Sequence, residues 1–129
     1  MAWLDAVQFN ADGLVPVIAQ DAGDQTILMM AWMNAEALSL TVETGQVVYY
    51  SRSRQRLWRK GESSGNVQQL RDMYLDCDGD VLVVSVEQIG GVACHTGRKS
   101  CFFKKLEEGS WQDTLPVLKS PSAMYGKKE

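Results

Sequence analysis

Two β-prone runs, Val67 to Cys77 and Val81 to Ile89, flank the dipeptide Asp78-Gly79. Asp-Gly between such runs is a strong short-range hairpin signal, because glycine adopts the positive φ that tight two-residue turns require. The rest of the chain repeats this pattern. Leu14 to Ala19 and Gln25 to Trp32 read as two further strands around the turn residues Asp21-Ala22-Gly23-Asp24. Gln46 to Ser51 is β-rich, Cys101 to Leu106 reads as a last strand, and Gly90-Gly91 and Thr96-Gly97 mark breaks between them. One helix is predicted over Ala35 to Thr44, with Asn34 as its N-cap, Gly45 at its C-terminal end, and Ala35, Leu38 and Val42 on one face. Elements of this kind predict an α+β fold, a β-rich single domain with few short helices.

The length of 129 residues suits one domain. That domain is expected over residues 1–119, followed by a polar tail, 120–129, whose Pro121 and Gly126 predict partial disorder. No apolar run approaches the ~20 residues needed to span a bilayer. Residues 1–10 lack the basic start and apolar stretch of a signal peptide. A cytoplasmic protein without a membrane partner is the expectation.

The formal net charge is -3. An acidic chain is a poor general nucleic-acid binder, which needs a broad basic face. Yet Arg52, Arg54, Arg56, Arg59 and Lys60 crowd one stretch. Arginine forks and glycine-flanked amides suit phosphate oxygens, while Glu62, Ser63, Ser64 and Asn66 suit ribose hydroxyls. Trp58 can stack on a base or anchor the segment in the core. Arg52 to Asn66 therefore reads as a long functional loop with a strand margin, against the alternative of a solvated loop with one apolar anchor.

The cysteines are three: Cys77, Cys94 and Cys101. They cannot all pair, and in a reducing compartment they stay thiols. Catalytic zinc takes three protein ligands and leaves a position for water, which fits that count. Three small buried hydrophobes are the alternative, and C-x6-C spacing does not decide between them. Three thiolates would outweigh the charge of Zn²⁺, so a water there needs help to lose its proton. His95, the chain's one histidine, follows Cys94, and an imidazole is the side chain best suited to act as a general acid or base. A fourth zinc ligand or a surface histidine are the other readings. Asp76, Asp78 and Asp80 alternate about the hairpin turn. They can hold Mg²⁺ beside a phosphate, although an Asp-Gly turn needs no metal. A zinc-stabilised RNA-binding module and a thiol enzyme using Cys94 or Cys101 are the rival functions.

Three of these stretches together resemble the phosphoribosyl-AMP cyclohydrolase family. The first is Ser51-Arg52-Ser53-Arg54 with Leu57-Trp58-Arg59-Lys60-Gly61-Glu62-Ser63-Ser64-Gly65-Asn66. The second is Asp76-Cys77-Asp78-Gly79-Asp80, and the third runs from Ala93-Cys94-His95-Thr96-Gly97 through Arg98-Lys99-Ser100 to Cys101-Phe102. The likeness extends from about Thr26 to Phe103 without departure at a motif position. The resemblance implies zinc on Cys77, Cys94 and Cys101, with Cys77 coming from the opposite subunit of an intertwined homodimer. It implies Mg²⁺ on Asp76, Asp78 and Asp80. It also implies hydrolysis of the N1–C6 bond of the adenine ring of phosphoribosyl-AMP, in histidine biosynthesis, by zinc-activated water. His95 is then the expected proton carrier. Arg52, Arg54, Arg59 and Lys60 are the expected phosphate contacts, with Trp58, Glu62, Ser63, Ser64 and Asn66 around the rest of the substrate.

Overall fold

The computed structural model describes residues 2–125. After a short helix α1 (Ala2–Asp5), strands β1 (Val15–Asp21) and β2 (Ile27–Met33) form the expected hairpin, and α2 (Ala35–Thr44) follows. Then come β3 (Val48–Ser51), β4 (Arg56–Arg59), β5 (Gln68–Leu75) and β6 (Leu82–Gln88), and a 3-10 turn over Ile89–Gly91. The chain closes with β7 (Lys104–Glu107), β8 (Ser110–Asp113) and α3 (Pro121–Tyr125). The mixed, strand-rich α+β architecture agrees with the expectation. Among the described residues, no helix is long and apolar enough to cross a membrane.

The main sheet has the order β2-β1-β6-β5. Its central pair, β1 and β6, is parallel, with Val17 opposite Leu82 and Ala19 opposite Val84. Both strands alternate strictly, so Val15, Val17, Ala19, Leu82, Val84 and Val86 point into one core. Each valine or leucine among them contributes about 1.5–3 kcal/mol on leaving water. α2 packs on β2 and β3 and covers this core with Ala37, Leu38 and Thr41. Its predicted ends hold. The Asn34 carboxamide accepts from the Ala37 amide at 2.8 Å, a cap of about 1 kcal/mol, and Gly45 takes the left-handed conformation with φ 78°. The predicted face holds only in part. Leu38 is buried, but Ala35 and Val42 are exposed, because the buried arc of Ala37, Leu38 and Thr41 is rotated about a quarter turn from it. Thr41 belongs in the core because its hydroxyl is paired with the backbone of Ala37 and Val48.

The turn between β1 and β2 is tied to the segment that carries Cys101. Lys99 forms an ion pair with Asp24, and that hydrogen bond holds the Asp24 carboxyl down at about 2 against an ordinary 3.8. The same bond raises the Lys99 ammonium. A depressed carboxyl stabilises the fold above its ordinary value and loses that contribution as pH falls through the folded value. A raised ammonium contributes below its ordinary value and loses this on alkaline titration. The pair therefore works across the neutral range. Asp24→Asn is expected to lower the Tm slightly at neutral pH, and the difference from wild type should shrink as pH falls below 3.8 and vanish below about 2. A difference that persists undiminished in acid would show that the charge is not the cause.

Three strand expectations need correction. The β5–β6 hairpin exists, but its turn is wider than two residues. The Asp76 amide donates to the Val81 carbonyl at 2.9 Å and the Gly79 amide to the Asp76 carbonyl at 2.8 Å. Gly79 is required there for a second reason besides its φ of 78°: a Cβ would lie 2.8 Å from the carbonyl oxygen of Ala6. Cys101–Phe103 is irregular, and of the expected last strand only residues 104–106 pair, as part of β7 (Lys104–Glu107), with an unpredicted β8. The Arg52 to Asn66 segment is not all loop, since β4 pairs antiparallel with β3. At the C-terminal end, Pro121–Tyr125 of the expected polar tail is helical with Met124 buried. Residues 126–129 lie outside the described residues.

Candidate active site

The basic stretch is shaped by the β3–β4 ladder and the tight turn after it. Beyond β4, the Lys60 amide donates to the Val47 carbonyl at 3.0 Å, and the Gly65 amide to the Gly61 carbonyl at 2.8 Å. Gly61 has φ 87°, and a Cβ there would fall 2.4 Å from the Val67 nitrogen, so the turn closes onto the backbone at a distance only glycine permits. The Glu62 carboxylate accepts from the Arg59 amide at 3.0 Å and lies 3.8 Å from the Arg56 guanidinium. A cavity of about 320 Å³ results, lined by Ser51, Arg54, Arg56, Trp58, Arg59, Lys60, Gly61, Glu62, Ser63, Ser64 and Tyr125. It is cationic and carries two aromatic residues, a composition suited to a phosphorylated, ring-bearing small molecule.

Seven predicted contacts meet in this cavity: Arg54, Trp58, Arg59, Lys60, Glu62, Ser63 and Ser64. Arg52 and Asn66 do not line it. Arg52 sits 4.7 Å over the ring of Trp32, and Asn66 is buried. Four lining residues are not among the expected contacts: Ser51, Arg56, Gly61 and Tyr125. Arg56 lies two positions from both Arg54 and Trp58, and the strand period was the available signal. Tyr125 had no signal beyond being an aromatic in a polar segment.

One lining residue reaches the cysteines. The Lys60 ammonium donates to the Ala93 carbonyl at 2.5 Å, next to Cys94. Burial pushes Lys60 down from the ordinary lysine range, while Cys101 and Cys94 act in the opposite sense. Cys94 is buried on a turn closed by the Gly97 amide donating to the Cys94 carbonyl at 2.9 Å. Its Sγ accepts from the Thr96 hydroxyl at 3.1 Å and from the Thr96 amide at 3.5 Å. Donors aimed at sulfur are the outer-layer arrangement that orients a metal-bound thiolate. Cys101, held by its amide on the Leu28 carbonyl at 2.7 Å, has its thiol beside that of Cys94. Burial, then the nearby Cys94, pushes the Cys101 thiol up to about 12. Two thiols placed together with sulfur-directed donors fit a soft divalent cation. His95 follows on the exposed side of the same turn.

The third cysteine is elsewhere. Cys77 sits at the exposed β5–β6 tip, where its sulfur and the carboxylates of Asp76 and Asp78 lie within 4.8 Å of one another. Among the described residues this is the one cluster of three or more potential ligands, so Cys77 does not join Cys94 and Cys101 within a single chain. Asp80 is exposed on the same turn but outside that cluster. Oxygen donors gathered with one sulfur fit a divalent ion.

Beneath the cavity runs a buried chain of hydrogen bonds. The Tyr49 hydroxyl donates to Gln68 Oε1 at 2.6 Å, and Gln68 Nε2 donates to Gln88 Oε1 at 2.8 Å. Gln88 Nε2 donates in turn to the Asn66 carbonyl at 2.8 Å. Tyr49 and Gln68 are fully buried, and burial raises the Tyr49 hydroxyl far above its usual range, so it remains protonated. Its ring lies 5.1 Å from that of Trp58. The chain thus fixes the floor of the cavity and the end of its loop.

Comparison with known proteins agrees with this geometry. Residues 29–103 match the family model described as phosphoribosyl-AMP cyclohydrolase. A phosphoribosyl-AMP cyclohydrolase of Marinobacter nauticus is 63% identical over 96% of this chain and 90% of its own. That of Stutzerimonas stutzeri is 59% identical over 98% of this chain and 97% of its own. That of Pseudomonas aeruginosa is 58% identical over 95% and 92%. With the basic cavity, the thiol pair and the acidic hairpin tip on elements inside or bordering the matched span, this chain is an enzyme that belongs to the phosphoribosyl-AMP cyclohydrolase family.

Proposed function

We propose that the enzyme hydrolyses the N1–C6 bond of the adenine ring of phosphoribosyl-AMP, a step of histidine biosynthesis. The observation that carries this reading is the contact between a cationic, aromatic-bearing cavity and the Cys94–Cys101 pair, made through Lys60 and Ala93. A substrate with two phosphates and one cationic ring needs both parts side by side. Alkylation at N1 makes C6 electrophilic. Water oxygen adds to C6, the C6–N1 bond breaks, and a proton ends on N1. The product is the ring-opened phosphoribosylformimino-aminoimidazole carboxamide ribonucleotide, with the former C6 as its carboxamide carbon.

Cys94 and Cys101, with Cys77 of the partner subunit, would hold zinc, which supplies the charge that brings water toward hydroxide near neutral pH. Asp76, Asp78 and Asp80 would hold Mg²⁺, offering positive charge to a substrate phosphate. His95 takes a proton from the water or gives one to N1. Arg54, Arg59 and Lys60 bind phosphate, Trp58 orients the base, and Glu62, Ser63 and Ser64 bind ribose hydroxyls. A homodimer with shared sites is supported by the separation of Cys77 from the other thiols. Large exposed apolar side chains, Tyr74, Phe102, Leu106 and Trp111, favour it too.

The deciding experiment follows the ultraviolet absorbance of phosphoribosyl-AMP with purified protein loaded with zinc and Mg²⁺. A spectral change proportional to enzyme, with the ring-opened product identified by mass, is the expected result. No turnover by a folded, metal-loaded dimer would sink the proposal. His95→Ala should retain zinc and lose rate by about 10²–10⁴-fold. Full activity in that variant would remove His95 from proton transfer.

A further inference from the structure

Both halves of the site are touched by one segment that no motif contains, the chain from Thr114 to Tyr125. It leaves β8 with the Thr114 amide on the Phe103 carbonyl at 2.7 Å, and the Arg98 guanidinium donates to the Leu115 carbonyl at 2.8 Å. It then crosses the turn that bears Cys94 and His95. The Leu118 amide donates to the Gly97 carbonyl at 2.8 Å, and the backbones lie so close that a Cβ on Gly97 would fall 1.7 Å from the Lys119 oxygen. Next, α3 docks on the end of the basic loop. Met124 is buried, and its sulfur accepts from Asn66 Nδ2 at 3.3 Å. Asn66 is itself held against Gly90, where a Cβ would meet the Asn66 carboxamide oxygen at 2.1 Å. The residue after Met124 is Tyr125, which lines the cavity.

We infer that this strap makes Tyr125 a substrate-binding residue, its ring forming an aromatic wall of the cavity additional to Trp58. The cavity otherwise offers cations, hydroxyls, the Glu62 carboxylate and one indole, so a nucleotide base has a single aromatic partner without the strap. Tyr125 supplies a second from a distant part of the chain, placed by the Met124 anchor and by the clamp at Gly97. Tyr125 contributes to binding the nucleotide, and the chemical step does not depend on it. The inference rests on the nucleotide-hydrolase reading above.

The test uses the full chain with both metals. Tyr125→Ala is expected to raise the KM for phosphoribosyl-AMP about tenfold, the scale of one base–aromatic contact, with kcat, zinc content and Tm unchanged. Tyr125→Phe keeps the ring and should hold KM within about twofold of wild type. An unchanged KM in Tyr125→Ala, or an equal rise in Tyr125→Phe, would overturn the assignment. Binding of AMP, measured by calorimetry, should weaken by the same factor in Tyr125→Ala. If wild type binds AMP with this dependence but turns nothing over, the reaction is wrong and the binding role stands. If turnover is present and neither KM nor AMP affinity responds, Tyr125 alone is wrong.

Discussion

If the proposed zinc site is right, Cys94→Ala is expected to yield a folded protein that holds no stoichiometric zinc and turns over phosphoribosyl-AMP about 10³-fold more slowly than wild type, or not at all. The size follows from losing several kcal/mol of charge stabilisation at 1.4 kcal/mol per decade of rate. Folding survives because the sulfur lies on a turn, outside the packed faces of β1 and β6, and alanine leaves the Gly97 amide to Cys94 carbonyl bond in place. Metal analysis, circular dichroism and turnover on one preparation provide the check. Retention of stoichiometric zinc would mean that Cys94 is not a ligand. The proposed sharing of the site between subunits adds a sharper expectation. Mixed dimers of Cys77→Ala and Cys94→Ala chains rebuild one intact site of two. Random reassociation of the two inactive proteins should then recover about a quarter of wild-type activity. No recovery from mixed dimers of confirmed composition would overturn the shared site.

The second large effect is on stability. Gln68→Leu should cost about 2–5 kcal/mol, because it strands two buried partners, the Tyr49 hydroxyl and the Gln88 carboxamide oxygen. Leucine fills most of the volume, so the loss reports polar desolvation more than a cavity. Urea unfolding at constant m-value measures it. Combining Gln68→Leu with Tyr49→Phe should cost less than the sum, since the second change removes a group the first left unpaired. Strict additivity, or a loss below about 0.5 kcal/mol, would mean that the network is replaced by other partners. Because Gln88 holds the Asn66 carbonyl, the KM for substrate should rise as well.

The local elements were legible where a few neighbouring residues set the backbone. Asn34 and Gly45 bounded α2, and Asp78-Gly79 announced the β5–β6 hairpin. Val15, Val17 and Ala19 face inward, but Leu14 and Ile18 are apolar as well, so the strand was readable and its buried face was not. Where neighbours competed, the reading slipped. Cys101–Phe103 has β-prone residues but is held as irregular chain by single bonds to Leu28 and by Ser100 capping Phe102. β4 was hidden because its arginines read as loop, although pairing with Tyr49 and Tyr50 makes it a strand.

The sequence by itself determined the family, the strand-rich α+β class and the chemical inventory: three thiols, one imidazole, three clustered carboxylates and a basic stretch. Those are properties of residue type and of spacing within a few positions. Only tertiary structure decided which of them meet. It joined β1 to β6 in parallel across some sixty residues of chain, a pairing no local pattern encodes. It set Cys94 beside Cys101 and left Cys77 apart. It buried Gln68 and Gln88, which read as polar strand positions until their mutual hydrogen bonds are seen. It also carried Tyr125 to the cavity. The physical reason is common to all four: each depends on contacts between segments far apart in sequence, whose energy appears only once the core has closed.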